Sequence, residues 1–164
     1  LDVLGHMGAR VTAFNRRIVG GEPVADIEVR SAPLVAATIE AADVPALVDE
    51  LPLFALAASF ARGRSEVRGA EELRHKETDR IDTVVGELRR VGVRIEARPD
   101  GFVVNGVPSR PRGGKVDAHG DHRIAMLGAV AGVASREGVA VEGAECVAIS
   151  FPGFFDLLDS VAQR

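Results

Sequence analysis

Residues 61–73 read ARGRSEVRGAEEL, and residues 135–147 repeat the pattern as SREGVAVEGAECV. In each stretch a predicted helix ends near a glycine, an alternating strand follows, and a second glycine turns the chain. Gly8 and Gly92 match in a similar way, because each ends a predicted helix and precedes a strand that contains an arginine. A repeat of about 75 to 85 residues is too long for a solenoid unit. It therefore predicts an α/β protein built from duplicated subdomains.

Hydrophobic periodicity divides the chain into short strands and helices. The predicted strands share alternating apolar residues and cover residues 10–16, 25–30, 34–40, 93–97 and 102–104. The predicted helices cover residues 51–60, 78–91, 121–134 and 152–162. Residues 51–60 are apolar nearly all round, which indicates a helix buried on most sides. Residues 106–114 are rich in Pro, Gly and Arg and are expected to form a mobile loop.

The composition argues against several classes of partner. The 164 residues carry 20 Lys plus Arg and 24 Asp plus Glu, which gives a net charge of −4, and the charges are interleaved. Because no broad basic surface is expected, nucleic-acid binding is not expected either. No apolar stretch approaches about 18 residues, so no membrane segment is expected. The single cysteine, Cys146, is typical of a reducing compartment, and we expect a cytoplasmic protein.

Three polar clusters each precede a predicted helix. They are residues 49–50 (DE), residues 71–80 (EELRHKETDR) and residues 117–123 (DAHGDHR). The N-terminus of a helix attracts anions, because its N–H groups are unpaired and the helix dipole is positive there. Each cluster also has a plain structural alternative, a capping turn with solvated charges, for which Thr78, Asp79 and Asp121 are suitable residues. If the clusters converge on one cleft, they form an anion-attracting site with acids available for proton transfer.

The cluster at residues 117–123 contains a local electrostatic conflict. His122 and Arg123 stand in a first helical turn, where a cation opposes the dipole unless an anion compensates. A conflict of this kind indicates a functional position. The residue types alone allow an alternative, a metal site formed by Asp117, His119, Asp121 and His122. The spacing of these residues matches no recognised set of metal ligands.

Two of these clusters carry motifs of a known family. Residues 73–80, LRHKETDR, resemble the LRxKExDR signature of the 3-phosphoshikimate 1-carboxyvinyltransferases, also called EPSP synthases. Residues 121–126, DHRIAM, resemble the DHRxAM motif of the same family. Three further stretches stand in the family's order: GGEPVADIEVR (20–30), VDELP (48–52) and SFPGFFDLL (150–158). The resemblance covers essentially the whole chain and identifies it as similar to the C-terminal portion of an enolpyruvyl transferase.

The resemblance implies a fold and a domain organisation. Family members contain repeated βαβαββ units arranged as an inverse α/β barrel, and about two such units are expected in this chain. Residues 1–164 would then form part of one domain of a two-domain, monomeric enzyme. The chain opens at Leu1 without an initiator Met. We therefore expect that the family's N-terminal region, more than half of its length, is missing here.

The resemblance also implies roles for residues at matching positions. Asp49 is expected to contact the ring hydroxyls of shikimate-3-phosphate and to accept the proton of the attacking 5-hydroxyl. Glu77 is expected to transfer protons at the methylene carbon of phosphoenolpyruvate. Lys76 is expected to hold shikimate-3-phosphate near its reacting hydroxyl. Arg80 and Arg123 are expected to bind the carboxylate and phosphate of phosphoenolpyruvate.

His122 and Asp121 are expected to support these residues from behind rather than to touch the substrates. The implied reaction transfers the enolpyruvyl group of phosphoenolpyruvate to the 5-hydroxyl of shikimate-3-phosphate and releases phosphate, a step of aromatic amino-acid biosynthesis. No metal and no organic cofactor is implied, because arginines and helix N-termini stabilise the anionic substrates. The missing N-terminal region is the implied partner, and the chain by itself is expected to be inactive.

Two residues depart from positions that bind substrate in some family members. Ile149 stands where some members carry a lysine that binds phosphoenolpyruvate, and Glu72 stands where some carry an asparagine that contacts phosphoshikimate. Two alternatives to the implied activity are a UDP-N-acetylglucosamine enolpyruvyl transferase, which lacks the LRxKExDR motif, and a non-catalytic anion-binding domain of the same fold.

Overall fold

The structure is a computed structural model that describes residues 1–162. Its strands are β1 (Arg10–Val19), β2 (Glu22–Arg30), β3 (Thr38–Ile39), β4 (Gly63–Val67), β5 (Ile95–Arg98), β6 (Gly101–Gly106), β7 (Gly114–Asp117) and β8 (Val139–Glu142). Its α-helices are α1 (Asp2–His6), α2 (Val44–Leu47), α3 (Leu51–Phe60), α4 (Arg80–Arg90), α5 (His122–Ala134) and α6 (Phe154–Val161). Two 3-10 segments cover Glu71–His75 and Ala144–Ile149. None of the helices within the described residues is long and apolar enough to cross a membrane.

The strands form one mixed sheet and two smaller pairs. β3, β4, β6 and β5 lie in that order, with β3 parallel to β4 and with β6 antiparallel to both of its neighbours. β7 pairs in parallel with β8, and β1 pairs antiparallel with β2. Parallel strands need a crossover connection, and here α3 connects β3 to β4 while α5 connects β7 to β8. The predicted α/β class is therefore confirmed as a mixed α/β domain.

The two matched sequence stretches adopt the same local structure. Within the first, β4 is followed by the 3-10 segment Glu71–His75; within the second, β8 is followed by the 3-10 segment Ala144–Ile149. The four predicted helices are present, and α4, α5 and α6 begin one or two residues later than the periodicity indicates. For α4 and α5 the reason is that Asp79 and Asp121 serve as caps in extended conformation rather than as helical residues.

The prediction of a continuous strand over residues 34–40 is wrong. Val35 forms an isolated bridge with Arg62, and regular pairing begins at Thr38. Between them the Ala37 N–H donates to the Ser65 side-chain oxygen (3.2 Å) instead of to a strand carbonyl. The alternating pattern of residues 34–40 cannot show that a side-chain oxygen takes the place of a strand carbonyl as acceptor, because Ser65 lies on a different strand.

Strand β7 was not among the predicted strands. The predicted loop over residues 106–114 ends where β7 begins at Gly114. The four residues GKVD are too short to show a period of their own. Their strand conformation depends on hydrogen bonding to β8, which comes after α5 in the sequence.

The main hydrophobic core packs three helices against the four-stranded sheet. Phe54 of α3, Leu88 of α4 and Ile124 of α5 are buried together with Phe102 of β6. As predicted, α3 is buried on most of its surface, and its Ala55 and Ala58 are fully enclosed. This packing holds the three helices side by side, so their N-terminal ends are held near one another.

Gly106, the last residue of β6, lies directly against the end of α3. A Cβ atom at this position would overlap the backbone oxygens of Ala58 and Ala61. The same two residues are fully buried in the core, and the Val107 N–H donates to the Ser59 carbonyl (2.9 Å). Neither backbone can move away without breaking these contacts.

Gly106→Ala is therefore expected to lower the free energy of unfolding by about 2–3 kcal/mol, because the added methyl group meets backbone rather than a flexible side chain. Urea unfolding measures the loss. Gly86→Ala is the matched control, since Gly86 lies within α4 with open space around it. That change is expected to raise stability by about 0.5–1 kcal/mol. Equal effects of the two changes would contradict the tight packing of β6 on α3.

Candidate active site

The N-terminal ends of α3, α4 and α5 meet at one place. Asp49 lies two residues before α3, Arg80 is the first residue of α4, and Asp121 caps α5. The Arg80 guanidinium is bonded to the carboxylates of both Asp49 and Asp121. The three polar clusters of the sequence therefore converge, which was the condition for a shared anion-attracting site.

Arg80 lies at the centre of this arrangement. Its side chain is 1% exposed. Its Nε donates to Asp121 Oδ2 (2.8 Å), its Nη1 to Asp49 Oδ1 (3.1 Å), and its Nη2 to Glu77 Oε2 (2.5 Å) and Asp121 Oδ1 (3.3 Å). Burial would lower the pKa of Arg80, but the hydrogen bond and charge of Asp121 and the charges of the other two acids outweigh it, and the pKa is raised. Four of the five guanidinium N–H groups are thus engaged by carboxylates.

Asp121 is the fully buried partner of Arg80. Besides Arg80, its carboxylate accepts hydrogen bonds from the Thr78 hydroxyl (3.2 Å) and the Arg123 backbone N–H (2.9 Å). Burial raises the pKa of the Asp121 carboxyl, but these hydrogen bonds and the charge of Arg80 outweigh burial, so the pKa lies below its ordinary value. Asp121 is therefore a fixed anion that joins the start of α4 to the start of α5.

Asp49 and Arg123 form a more open pair in front of Arg80. Arg123 Nη2 lies 2.9 Å from Asp49 Oδ2, and the side chains of Arg123 and Asp49 are 32% and 41% exposed. Asp49 thus lies between two arginines, one buried and one accessible. Arg123 is therefore accessible to an anion in solution in the folded state.

Glu77 and Lys76 reach the site from the segment between the first 3-10 turn and α4. The Glu77 side chain is 49% exposed and contacts Arg80 from the solvent side. Lys76 is half-buried in extended conformation, and its ammonium group makes no hydrogen bond within residues 1–162. His122 is also half-buried, at the first residue of α5. All seven residues predicted for the site lie on these connected segments: Asp49, Lys76, Glu77, Arg80, Asp121, His122 and Arg123.

Two residues that shape the site were missed by sequence reasoning, which gave Arg74 no role and considered Thr78 only as a helix cap. Arg74 donates to Asp79 Oδ2 (2.7 Å), the N-cap of α4, and to the backbone oxygens of Arg98 (2.8 Å) and Pro99 (2.8 Å). It thereby fixes the segment that carries Lys76 and Glu77 to the β5–β6 turn. Thr78 bonds to Asp121, as described above. The signal for both was available, because both stand inside the LRHKETDR stretch.

The residues of the alternative metal site point to different partners. Asp121 is paired with Arg80, and His119 Nε2 lies 3.0 Å from Glu87. Within residues 1–162 there is no group of three or more His, Cys, Asp or Glu side chains placed to hold a metal ion. Glu72 and Ile149, the two residues that differ from substrate-binding residues of some family members, are both exposed to solvent.

The geometry defines what this site can do chemically. Two half-exposed carboxylates, Asp49 and Glu77, are held by the same buried guanidinium, and an accessible arginine stands beside one of them. Carboxylates in different surroundings can divide the acid and base roles of one reaction. The accessible arginine and the helix N-termini can bind an anionic substrate.

Asp121→Asn is expected to lower the free energy of unfolding at neutral pH by about 3 kcal/mol, because Arg80 loses its buried counter-charge. The folded-state pKa of Asp121 lies below the unfolded value of about 4. Its stabilising effect is therefore complete above that value and is lost as the pH falls through the folded-state pKa. Urea unfolding from about pH 7 to about pH 3 should show the variant and the parent converging at acid pH. Asp43→Asn, at an exposed position, controls for loss of a charge; a pH-independent difference would contradict the assignment.

Comparison with known proteins agrees with the geometry. The family model of EPSP synthase (3-phosphoshikimate 1-carboxyvinyltransferase) matches residues 1–158. A 3-phosphoshikimate 1-carboxyvinyltransferase from Syntrophomonas wolfei is 48% identical over 163 residues, which cover 99% of this chain and 38% of that protein. One from a Geobacter species is 49% identical over 164 residues, again 38% of its length. The chain thus spans about 38% of the length of these relatives.

Solved structures give the same result. The EPSP synthase from Acinetobacter baumannii superposes with a TM-score of 0.90 at 37% identity, covering 97% of this chain and 37% of that chain. The enolpyruvyl transferase NikO from Streptomyces tendae superposes with a TM-score of 0.73 at 23% identity, which shows a shared fold. Because the family model matches nearly the whole chain, residues 1–158, the chain belongs to the EPSP synthase (3-phosphoshikimate 1-carboxyvinyltransferase) family.

Proposed function

We propose that this chain forms part of an enzyme that transfers the enolpyruvyl group of phosphoenolpyruvate to the 5-hydroxyl of shikimate-3-phosphate and releases phosphate. One observation carries the proposal. The buried guanidinium of Arg80 holds Asp49 and Glu77, the two carboxylates to which the family resemblance assigns proton transfer, together in one site. Family membership supplies the substrates, and the geometry supplies groups of the required type.

The proposed chemistry divides proton transfer between these two acids. Asp49 accepts the proton of the 5-hydroxyl as that oxygen attacks C2 of phosphoenolpyruvate, while Glu77, which enters this step in its protonated form, delivers its proton to the methylene carbon C3. A tetrahedral intermediate results. Glu77 then removes a proton from C3, the C2–C3 double bond forms again, and phosphate leaves C2 with the proton that Asp49 had accepted. The side chains of both acids are close to half exposed, so each can meet a substrate in the cleft.

The proposed anion-binding groups are Arg123 and Lys76, with Arg80 behind them. Arg123 is partly exposed and paired with Asp49, so an incoming carboxylate or phosphate would compete with Asp49 for its guanidinium. Arg80 differs, because it is enclosed and nearly saturated by acids. A substrate oxygen can bond to Arg80 if it displaces Asp49 or Glu77. Before that exchange, Arg80 acts through its charge.

We also propose that the chain contains about two βαβαββ units of an inverse α/β barrel. The elements β3, α3, β4, α4, β5 and β6 follow one another in that order, and β7, α5, β8 and α6 repeat its first four. The β1–β2 hairpin then corresponds to the end of a preceding unit. On this proposal the remaining part of the enzyme supplies further units and the opposite wall of the cleft. A monomeric, cytoplasmic enzyme stays a prediction.

Asp49→Asn and Glu77→Gln, made in the complete protein that carries this chain, are expected to lower kcat by about 10²–10⁴-fold, because each change keeps the shape and removes the proton-transferring carboxylate. The measurement is phosphate release with both substrates. Glu96→Gln is the control, since Glu96 lies on β5 in an exposed pair with Arg98. Unchanged rates in either variant would remove that residue from the mechanism. Binding of both substrates without phosphate release by the parent would favour a non-catalytic anion-binding domain.

The chain of residues 1–164 by itself is expected to release little or no phosphate from the two substrates, because the proposal assigns the opposite wall of the cleft to the rest of the protein. The same assay measures this. Turnover by the isolated chain comparable with that of the complete protein would contradict the proposed division of the site.

A further inference from the structure

His119 has a left-handed backbone conformation, which is uncommon for residues other than glycine. Its φ is +51°, and the next residue, Gly120, has a φ of +74°. The Asp121 N–H donates to the Ala118 carbonyl (2.8 Å), which closes a four-residue turn of the kind that has positive φ at both central positions. Gly, Asn and Asp are favoured at such positions, and histidine there costs conformational free energy. An interaction elsewhere must offset this cost.

That interaction is a contact with Glu87 on α4. Glu87 Oε1 lies 3.0 Å from His119 Nε2, and because an ionised carboxylate can only accept, Nε2 carries the proton and donates. Glu87 Oε2 accepts the backbone N–H of Asp117 (3.0 Å) at the end of β7. The Glu87 side chain is 4% exposed, and Arg90 contributes a further contact at 3.1 Å. One buried carboxylate therefore holds Asp117, just before the turn, and His119, within the turn, to α4.

The turn in question leads directly into the candidate active site. Its last residue, Asp121, bonds to Arg80 and to the Arg123 backbone N–H. The His119 N–H donates to Asp117 Oδ1 (2.8 Å), which tightens the turn further. A displacement of residues 117–121 would therefore move Asp121 and, with it, the first turn of α5.

We infer that His119 and Glu87 are positioning residues, which fix the β7–α5 turn on α4 so that Arg123 is presented in the orientation that binds phosphoenolpyruvate. Neither side chain touches the proposed substrates; both act through Asp121. The inference rests on the proposed function for the identity of the ligand. The fixation of the turn rests on the contacts alone.

The turn geometry provides a variant that separates positioning from stability. His119→Asn places a residue that tolerates positive φ in the turn, yet its shorter side chain cannot reach Glu87. His119→Gln keeps a side-chain N–H donor at about the length of the imidazole but does not relieve the backbone. His119→Asn thus relieves the backbone strain and loses the contact with Glu87, whereas His119→Gln keeps both.

In the complete protein, His119→Asn is expected to raise the KM for phosphoenolpyruvate about three- to tenfold, the effect of one lost hydrogen bond. The KM for shikimate-3-phosphate and the thermal midpoint should stay near the parent values. His119→Gln should restore the KM for phosphoenolpyruvate. Glu87→Gln should resemble His119→Asn in KM, because one of the two carboxylate oxygens becomes an NH2 group, which cannot accept from either Asp117 or His119. Lys115→Gln, on the exposed side of β7, is the control.

Hydrogen exchange of residues 117–123 in the same variants gives a readout that does not need activity. Exchange is expected to be faster in His119→Asn and Glu87→Gln and parent-like in His119→Gln. If the parent releases no phosphate, the proposed function fails, and the exchange data alone decide whether the turn is fixed by this contact. If the parent is active and His119→Asn leaves both KM values and the exchange unchanged, the positioning role is overturned. A fall in kcat with no change in KM or exchange would also overturn it, since loss of folded protein explains that result.

Discussion

The candidate site depends on the ion pairs that the buried guanidinium of Arg80 forms with three carboxylates. A charge with 1% exposure is tolerated when opposite charges surround it, and Arg80 is surrounded by Asp49, Glu77 and Asp121. These acids belong to segments that precede or begin α3, α4 and α5. The requirement to neutralise one buried cation therefore holds three helix starts together, and it also determines which carboxylates face the cleft.

The same requirement divides the charged residues into fixed and available groups. Asp121 is buried and accepts two hydrogen bonds from Arg80, whereas Asp49 and Glu77 each contact Arg80 through one oxygen and remain close to half exposed. Arg123, held by its backbone to Asp121 and by its side chain to Asp49, is the accessible cation beside them. A rigid inner pair with an exchangeable outer pair suits the proposed function, in which the site binds two anions and moves protons. The backbone that carries Asp121 is in turn held by Glu87.

Much of the fold could be predicted from local patterns. The amphipathic period of α4 and the apolar runs of α3 and α5 are properties of contiguous residues, and the structure contains all three helices. The interrupted strand at residues 34–40 and the unpredicted β7 are different. In the first case the Ser65 side chain takes a backbone N–H, and in the second the partner strand lies beyond a helix. Neither partner is visible in the short stretch to which a local pattern applies.

The sequence by itself determined the residue types of the site, the family and the positions of the polar clusters, because motifs and helix caps are encoded over a few neighbouring residues. Tertiary structure decided the relations among those residues. It enclosed Arg80, which the sequence suggested as a direct ligand, and it joined His119 to Glu87, which the sequence left as a possible metal ligand and an unassigned helix residue. The physical reason is that burial and ion pairing are set by which segments pack together, and here the paired side chains lie up to 74 positions apart in the chain.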